Sequence, residues 1–393
     1  MDPMLYMAAA VGAAAALALA ATALLTRGVK PDSGAAIPGS APSERRRAVA
    51  TDTGAGIAPA PAPAPAPAAL ATEEPAPLPD ALNGFWLADE HEITTQHSTQ
   101  LATQLRHVAM PPRELQHFMA ADIMAGNAAQ ELSELVMSEP RLAAKVLGRA
   151  NSPFYGLQSP IASVAHAITY LGMNTVRNMA LSFVLQESFA VEDAALGSYC
   201  DSVWESGRIA AEICSLLAPR LGFADTGTLG TQTILCFLGD LAVPSLLGDA
   251  AGTIRELDFI ERLRFEQEQL GASSVLLGTI VIRAWGLPPP IVDAVAAAGR
   301  IVVTPVEQAD PAQAPRSALI YSCARIGEAI ARQRIAGPDE IELRNAAAPE
   351  LHHLQGYLRL PQLARLPELL HAPDVRLALA RTIAAVRHVA AAG

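Results

Sequence analysis

The sequence lacks several features that would point to particular folds and chemistries. Its four cysteines stand singly in apolar text, which indicates buried free thiols in a reducing compartment rather than disulfides or metal ligands; they are Cys200, Cys214, Cys236 and Cys323. No stretch keeps the alternation of apolar and polar residues that marks a half-buried strand. No glycine-rich phosphate loop with a following lysine occurs, and no serine–histidine–aspartate pattern stands out. These absences favour an all-α fold without a common catalytic motif.

Positive charge is also scarce. The 393 residues include 28 lysines and arginines against 39 aspartates and glutamates, for a net charge of -11. This balance argues against nonspecific binding of nucleic acid, so no nucleic-acid partner is expected. Hydrophobic residues make up 51% of the chain, but many of them are alanines near the N-terminus, so that figure overstates the folded core.

Residues 5–26 contain no charged side chain and are long enough to span a bilayer as a helix. Arg27 and Lys30 follow directly, and residues 45–47 add three arginines. The positive-inside rule therefore predicts a single-pass transmembrane anchor at residues 1–27, with the C-terminal bulk in the cytoplasm. A cleaved signal peptide is the alternative, although residues 1–4 carry no positive charge.

Residues 28–92 are predicted to form a disordered linker rich in alanine and proline. Within it, residues 58–68 alternate the two amino acids, a composition that cannot build a core and prefers extended polyproline II. At about 3.1 Å per residue, that run alone would be a spacer of roughly 30 Å. The linker would hold the folded part away from the membrane.

Residues 138–171 have the pattern of a helix, a tight turn and a second helix. Pro140 stands where a first-turn proline is tolerated, and Leu142 begins an apolar face at helical spacing. Asn151 and the two residues after it stop the first helix, and Gly172 ends the second. The residues that define this turn and its flanks are Pro140, Leu142, Asn151, Ser152, Pro153, Tyr155, Leu171 and Gly172.

This stretch resembles the HDOD family, a helical signalling domain related to the HD phosphohydrolases. The matching residues begin at Met110, Pro111 and Pro112 and keep their order and spacing through residue 172; the resemblance covers roughly residues 101–300. It implies an HD-like helical bundle in two lobes, which we place at residues 93–300. Residues 301–393 would then be a helical extension that packs on the HDOD domain.

The resemblance raises the question of catalysis, because HD enzymes hold divalent metal with histidines and aspartates from several helices. Here no histidine occurs from Ala167 to Leu351, the interval that matches the HD core. Residues 237–242 resemble the histidine–aspartate signature, with Gly239 where the histidine would stand and Asp240 keeping the aspartate. One aspartate cannot hold a catalytic metal tightly without further ligands. We therefore expect no catalytic residue, no bound metal, no cofactor and no phosphohydrolase activity.

Four further expectations concern the matching helices. The nearly all-apolar residues 231–247 predict one central buried helix. The charges of residues 255–270, Arg262 and Glu266 among them, are interpreted as a solvated helix face, whereas Asp240 is interpreted as a hydrogen-bonded structural residue. No arginine cluster for a phosphate is indicated, because Arg255 and the arginines that follow it lie on one mostly acidic segment.

The resemblance implies a noncatalytic bacterial signalling or scaffold module that binds an unidentified signalling protein at the inner membrane. The turn residues around Asn151 and Tyr155 would shape a structural turn or contact that partner. Two alternatives stay open. The chain could be a degenerate metal-dependent phosphohydrolase with Asp240 as the surviving ligand, or a receptor that binds a nucleotide, such as a cyclic dinucleotide, without hydrolysing it.

Overall fold

The computed structural model describes residues 77–105, 132–134, 136–137, 140–151, 159–188, 194–345 and 348–392. The predicted anchor at residues 1–27 lies outside these ranges, as do Ser152, Pro153 and Tyr155 of the predicted turn. Within these ranges every regular element is helical, which confirms the predicted all-α class. The predicted division of residues 93–300 into two lobes stays a prediction.

The helices of the described residues are numbered in chain order. They are α1 (Thr95–Gln104), α2 (Pro140–Ala150), α3 (Val164–Leu171), α4 (Met173–Ser188), α5 (Ala194–Leu217), α6 (Thr226–Leu235), α7 (Leu238–Leu247), α8 (Phe259–Leu270), α9 (Ser274–Ala284), α10 (Pro289–Gly299), α11 (Ala314–Ala331), α12 (Leu354–Tyr357), α13 (Leu366–Leu370) and α14 (Pro373–Ala392). Short 3-10 stretches connect several of them, including Gly248–Arg255 between α7 and α8.

Local signals explain where individual helices begin and end. The Ser163 side chain accepts a hydrogen bond from the His166 N–H and caps the start of α3. Gly172 ends α3 with a positive φ of 84°, a backbone conformation that suits glycine better than any other residue. At the start of α8, the Glu261 carboxylate accepts a hydrogen bond from the Asp258 N–H at 3.2 Å.

The prediction of one central helix over residues 231–247 was wrong in its bounds. The chain forms α6 and α7 instead, separated by a tight turn in which the Phe237 N–H donates to the Ile234 carbonyl at 3.1 Å. The uniformly apolar sequence carries no signal for this break. Taken together, the helical residues Thr226–Arg255 are long and apolar enough to cross a membrane, and they are the one such stretch among the described residues. However, 61% of their most apolar window is buried inside the protein. The burial agrees with the predicted central position.

Buried apolar side chains form two clusters. The smaller one joins α2, α3 and α4 and includes Leu142, Val146 and Ile168. The larger one joins α5 to α14 and includes Leu319 and Leu379 from the predicted extension at residues 301–393. The extension therefore completes the same hydrophobic core as the helices before it.

The larger cluster also reaches into the predicted linker. Leu82, Leu87 and Ala88 are buried in it, and the Ala88 N–H donates to the Gln267 side chain on α8 at 2.6 Å. The folded part thus begins before residue 93. The four cysteines are free thiols, as predicted; three are buried and Cys236 is half-buried.

Candidate functional site

Asn151 closes the turn that the sequence singled out. Its side-chain nitrogen donates to the carbonyls of Leu147, at 2.9 Å, and Ile161, at 2.8 Å. Its side-chain oxygen accepts from the Ile161 N–H at 2.7 Å. One amide therefore joins the end of α2 to the segment that enters α3, across the residues that lie outside the described ranges. These are the contacts of a turn-forming residue, and a partner contact stays a prediction.

The other predicted motif residues that the structure describes lie on the same pair of helices. Pro140 is the first residue of α2, where its missing N–H costs no hydrogen bond. Leu142 is buried in the smaller cluster, and Leu171 packs against that cluster at the end of α3. The Gly172 N–H donates to the Ile168 carbonyl at 2.9 Å. Each of these residues shapes or stabilises the helix pair.

Gly239 lies where α7 and α9 cross. A Cβ atom added at this position would stand 1.7 Å from the Ser274 carbonyl oxygen and 2.9 Å from the Gly278 nitrogen. The first distance is far inside van der Waals contact, and the obstacle is backbone, which cannot rotate away. No side chain fits at position 239 unless the two helices separate. The crossing thus leaves no room for the histidine that the resemblance would place at position 239.

Asp240, the other half of that signature, faces a guanidinium. Its Oδ1 atom lies 3.1 Å from Nη2 of Arg262 on α8, and the side chains of Arg262 and Asp240 are only 2% and 9% exposed. The ion pair is not aligned as a hydrogen bond, so this oxygen has charge compensation but no hydrogen-bond donor among the described residues. The carboxylate that HD enzymes offer to a metal is here paired with a cation of the protein itself.

Arg262 belongs to a larger group of buried charges, which we call the ion cluster. Its members are Arg262, Arg325, Arg332, Asp240, Glu266 and Glu328. Three guanidiniums surround Glu328 on α11: Arg262 at 2.8 Å, Arg325 at 2.5 Å and Arg332 at 3.2 Å. Burial alone would raise the pKa of Glu328, but these guanidiniums hold it well below its usual range. Glu328 is therefore a buried carboxylate that stays ionised.

Glu266 occupies the opposite situation within the ion cluster. Its side chain is 0% exposed, and its Oε1 atom is 3.8 Å from Nε of Arg262, beyond hydrogen-bond distance. Its other oxygen accepts from the Ser274 N–H at 2.6 Å. Burial and the nearby Asp240 raise the pKa of Glu266 to about 8, against the lowering effect of Arg262 and Ser274. The protonated form is thus favoured at neutral pH.

The prediction that Arg262 and Glu266 belong to a solvated face was wrong. Both lie on the face of α8 that also carries Phe259 and Leu263, which are buried in the larger cluster. The spacing of residues 259, 262, 263 and 266 follows the helical period, and this was the available signal. It was missed because charged side chains are seldom fully buried unless they are paired.

The residues present do not fit a divalent metal at the HD position. A metal site needs several neutral imidazoles or carboxylates with free lone pairs, whereas Asp240 is opposed by Arg262 and position 239 has no room for a side chain. Across the described ranges, no group of three or more histidines, cysteines, aspartates or glutamates is placed to hold an ion. The rings of His352 and His353 meet edge to face, with their centroids 5.0 Å apart.

The structure brings Arg255 together with arginines from elsewhere in the chain, which the sequence did not indicate. Arg255 does not share α8 with Arg262, because it ends the 3-10 stretch before that helix. Together with Arg332 and Arg334, which follow α11, it lines a surface cleft of about 490 Å³. These residues are far apart in sequence, so only the tertiary fold brings them together.

A sequence model of the HDOD domain matches residues 109–301. The solved structure of an HDOD domain protein of unknown function from Geobacter sulfurreducens aligns with TM-score 0.51 and 19% identity, over 75% of this chain and 98% of its own. A Shewanella amazonensis protein whose name suggests a phosphohydrolase aligns with TM-score 0.47 and 19% identity, over 73% and 99%. The MmoQ response regulator of Methylococcus capsulatus aligns with TM-score 0.33 and 19% identity, over 69% and 95%. No curated protein matches the chain.

The family match includes the Asn151 turn, helices α2 to α10 and the Gly239–Asp240 pair. At 19% identity, the Geobacter structure supports the fold and nothing more specific. The helical architecture, the matched residues and the aligned structure agree with one another. We conclude that this chain carries an HDOD domain over residues 109–301.

Proposed function

We propose that the chain is a noncatalytic signalling or scaffold module that acts by binding a partner protein. The observation that carries this proposal is the pairing of Asp240 with Arg262, a guanidinium at 3.1 Å where an HD enzyme would hold its metal. A catalytic metal also needs an open coordination position for water or substrate. In this chain Asp240 is buried and its carboxylate faces Arg262 of the ion cluster.

Energetics support this interpretation. Removing one partner of a buried ion pair typically costs about 3–5 kcal/mol, because the other charge is left uncompensated. A metal could reach Asp240 only by displacing Arg262, which also binds Glu328 at 2.8 Å. Displacement would leave Glu328 without one of its cations and would leave the buried Arg262 guanidinium without its carboxylate partners. The cluster therefore favours a structural role for the aspartate over a degenerate hydrolase.

Turnover measurements test the noncatalytic part of the proposal. We expect the purified full chain, with Mn²⁺ or Mg²⁺ present, to hydrolyse cyclic dinucleotides, nucleotides and bis-p-nitrophenyl phosphate no faster than buffer. The matched control is Asp240→Asn, checked for folding by circular dichroism, which should give the same background. Hydrolysis by the wild-type chain that Asp240→Asn abolishes would support the degenerate phosphohydrolase instead.

For the interaction part, the turn region is the surface we would test first. Tyr170, next to the motif residues Leu171 and Gly172, exposes a large side chain to solvent, as does Leu377 on α14. We expect affinity capture of the full chain from its native host to enrich one signalling protein, with Tyr170→Ala reducing its yield and Leu377→Ala, the matched control, leaving it unchanged. If both variants capture the partner equally well, the contact lies elsewhere on the surface. If the full chain enriches no specific protein, the proposal is contradicted.

The proposed location is the bacterial inner membrane, with residues 1–27 as a single-pass anchor and the HDOD domain in the cytoplasm. The uncharged stretch at residues 5–26, the cations that follow it and the four free thiols support this placement. Protease added to spheroplasts should leave the C-terminal domain intact until the cells are lysed. Digestion before lysis would contradict the orientation, and recovery of the full chain in the soluble fraction would contradict the anchor.

A further inference from the structure

The arginine cleft is built from two segments that lie far apart in sequence. Arg255 comes from the end of the 3-10 stretch Gly248–Arg255, and Arg332 and Arg334 come from the chain that leaves α11. The remaining lining residues are Ser198, Tyr199, Ser202, Glu256 and Gln333. The lining thus carries three guanidiniums and three hydroxyls but one carboxylate, so positive charge and hydrogen-bond donors dominate it.

The backbone at the end of α11 directs two of the arginines into the same cleft. Gln333 has φ 54°, which is the one left-handed conformation of a non-glycine residue among those that the structure describes. The Gln333 N–H donates to the Ile330 carbonyl at 3.0 Å, and the Arg334 N–H donates to the Ala329 carbonyl at 2.8 Å. This reversal places Arg332 and Arg334, on either side of Gln333, along one wall. L-residues rarely adopt this conformation, so the geometry is held by its surroundings.

Several polar groups of the cleft lack partners. Among the described residues, Arg255 makes no ion pair or side-chain hydrogen bond. The Nη2 atom of Arg332 and the Tyr199 hydroxyl are buried and also have no hydrogen-bond partner there. Arg334 pairs with Asp258 at 2.9 Å, but Asp258 is 74% exposed, so water can replace it at little cost. The cleft therefore holds more donor capacity than the protein itself uses.

The surplus of positive charge around Arg332 also favours an anion in the cleft. Arg332 shares Glu328 with Arg262 and Arg325, so one carboxylate serves three guanidiniums. Burial and the nearby Arg262 lower the pKa of Arg332, against the raising effect of Glu328. An anion placed in the cleft would offset this excess of positive charge.

We propose that this cleft binds the phosphate group of a small molecule, such as a phosphate monoester or a diphosphate, held by Arg255, Arg332 and Arg334. The planar guanidinium fork matches the geometry of phosphate oxygens and gives paired, charge-assisted hydrogen bonds. The hydroxyls of Ser198 and Ser202 add shorter-range polar contacts at the rim. The volume of about 490 Å³ falls in the range of small-molecule sites and leaves room for a body beyond the phosphate.

Binding of a phosphate in the cleft would also affect the contacts of the ion cluster. Arg332 contacts Glu328 through its Nε atom at 3.2 Å, and Glu328 contacts Arg262, the partner of Asp240. A phosphate that draws Arg332 outward weakens its hold on Glu328, and the other two guanidiniums compensate. The site does not depend on the proposed protein partner, so either proposal can fail alone.

Isothermal titration of inorganic pyrophosphate into the full chain at low ionic strength tests the proposal. We expect saturable binding of one pyrophosphate per chain. Arg255→Gln and Arg334→Gln should each weaken it by about tenfold or more, the loss typical of one charge-assisted contact. Both side chains are exposed, so the fold should survive, which circular dichroism would verify. The matched control is Arg359→Gln, an exposed arginine outside the cleft, which should bind as the wild-type chain does.

Three results would overturn the site. They are no saturation at millimolar pyrophosphate, an equal loss of binding in Arg359→Gln, and succinate binding as tightly as pyrophosphate. The second would indicate general surface charge, and the third would indicate a carboxylate site rather than a phosphate site. Hydrolysis of pyrophosphate would appear as a continuous heat signal, which separates failure of the noncatalytic proposal from failure of the binding site.

Discussion

Replacing Gly239 with alanine adds one methyl group where α7 and α9 cross. The new Cβ atom would lie 1.7 Å from the Ser274 carbonyl oxygen, whereas real Cβ contacts stay above 3.0 Å. The two helices must therefore separate by about 1.3 Å at this point, the difference between those distances. Because both helices belong to the larger hydrophobic cluster, the separation opens contacts along their whole interface.

We expect Gly239→Ala to lower the free energy of unfolding by about 3 kcal/mol or more. Overpacked cores usually lose about 1–3 kcal/mol, and here the obstacle is backbone rather than a side chain that can rotate. Gly252→Ala is the matched control, because a Cβ atom there meets nothing within 4 Å. That variant should stay within about 0.5 kcal/mol of the wild-type chain. Gly278→Ala, whose Cβ would lie 3.1 Å from the Gly239 nitrogen, should fall between the two.

Urea unfolding followed by circular dichroism would measure these differences as shifts of the midpoint at constant slope. The order expected for the loss of stability is Gly239→Ala, then Gly278→Ala, then Gly252→Ala. A Gly239→Ala chain as stable as the wild-type chain would refute the reasoning. In that case α7 and α9 do not cross as closely as the structure indicates, and the steric argument against a histidine at position 239 fails.

Three further predictions concern the ion cluster and the turn. Arg262→Met should lower the free energy of unfolding, measured in urea, by about 3–5 kcal/mol, because it leaves buried carboxylates without their cation. A loss below about 1 kcal/mol would show that Asp240 and Glu328 do not depend on Arg262. Asn151→Ala should lower the free energy of unfolding by about 1–3 kcal/mol, because three side-chain hydrogen bonds are lost. Asn151→Asp can restore only one of these hydrogen bonds. An unchanged urea midpoint would contradict the role of Asn151 in closing the turn. Between pH 4.5 and 8 the folded chain keeps a proton on Glu266 that the unfolded chain releases, so stability should fall with rising pH in the wild-type chain and less steeply in Glu266→Gln. Parallel pH profiles for the two proteins would rule out the raised pKa of Glu266.

Local signals in the sequence predicted much of the fold. The all-α class follows from helical periodicity, and the Asn151 turn follows from a polar break between two apolar faces. The Gly239–Asp240 pair also led to the expectation that the metal ligands are incomplete, which stays a prediction. Each of these conclusions depends on residues close together in the chain, where spacing alone carries the information.

The rest depends on long-range packing. The burial of Arg262 and Glu266 requires α11 to bring Glu328 against α8, from 66 residues away. The crossing at Gly239 depends on how closely α9 approaches, which no local pattern encodes. The arginine cleft joins residue 255 to residues 332 and 334. Sequence reasoning places such charges on the surface by default, because burying an isolated charge carries a large desolvation cost.

The central claim is that the HD position of this chain holds a guanidinium in place of a metal. Calorimetric titration of Mn²⁺ into the purified full chain at neutral pH tests it most directly. The account predicts no saturable binding, and identical traces for the wild-type chain and Asp240→Asn. One manganese ion bound per wild-type chain, and none bound by Asp240→Asn, would contradict it.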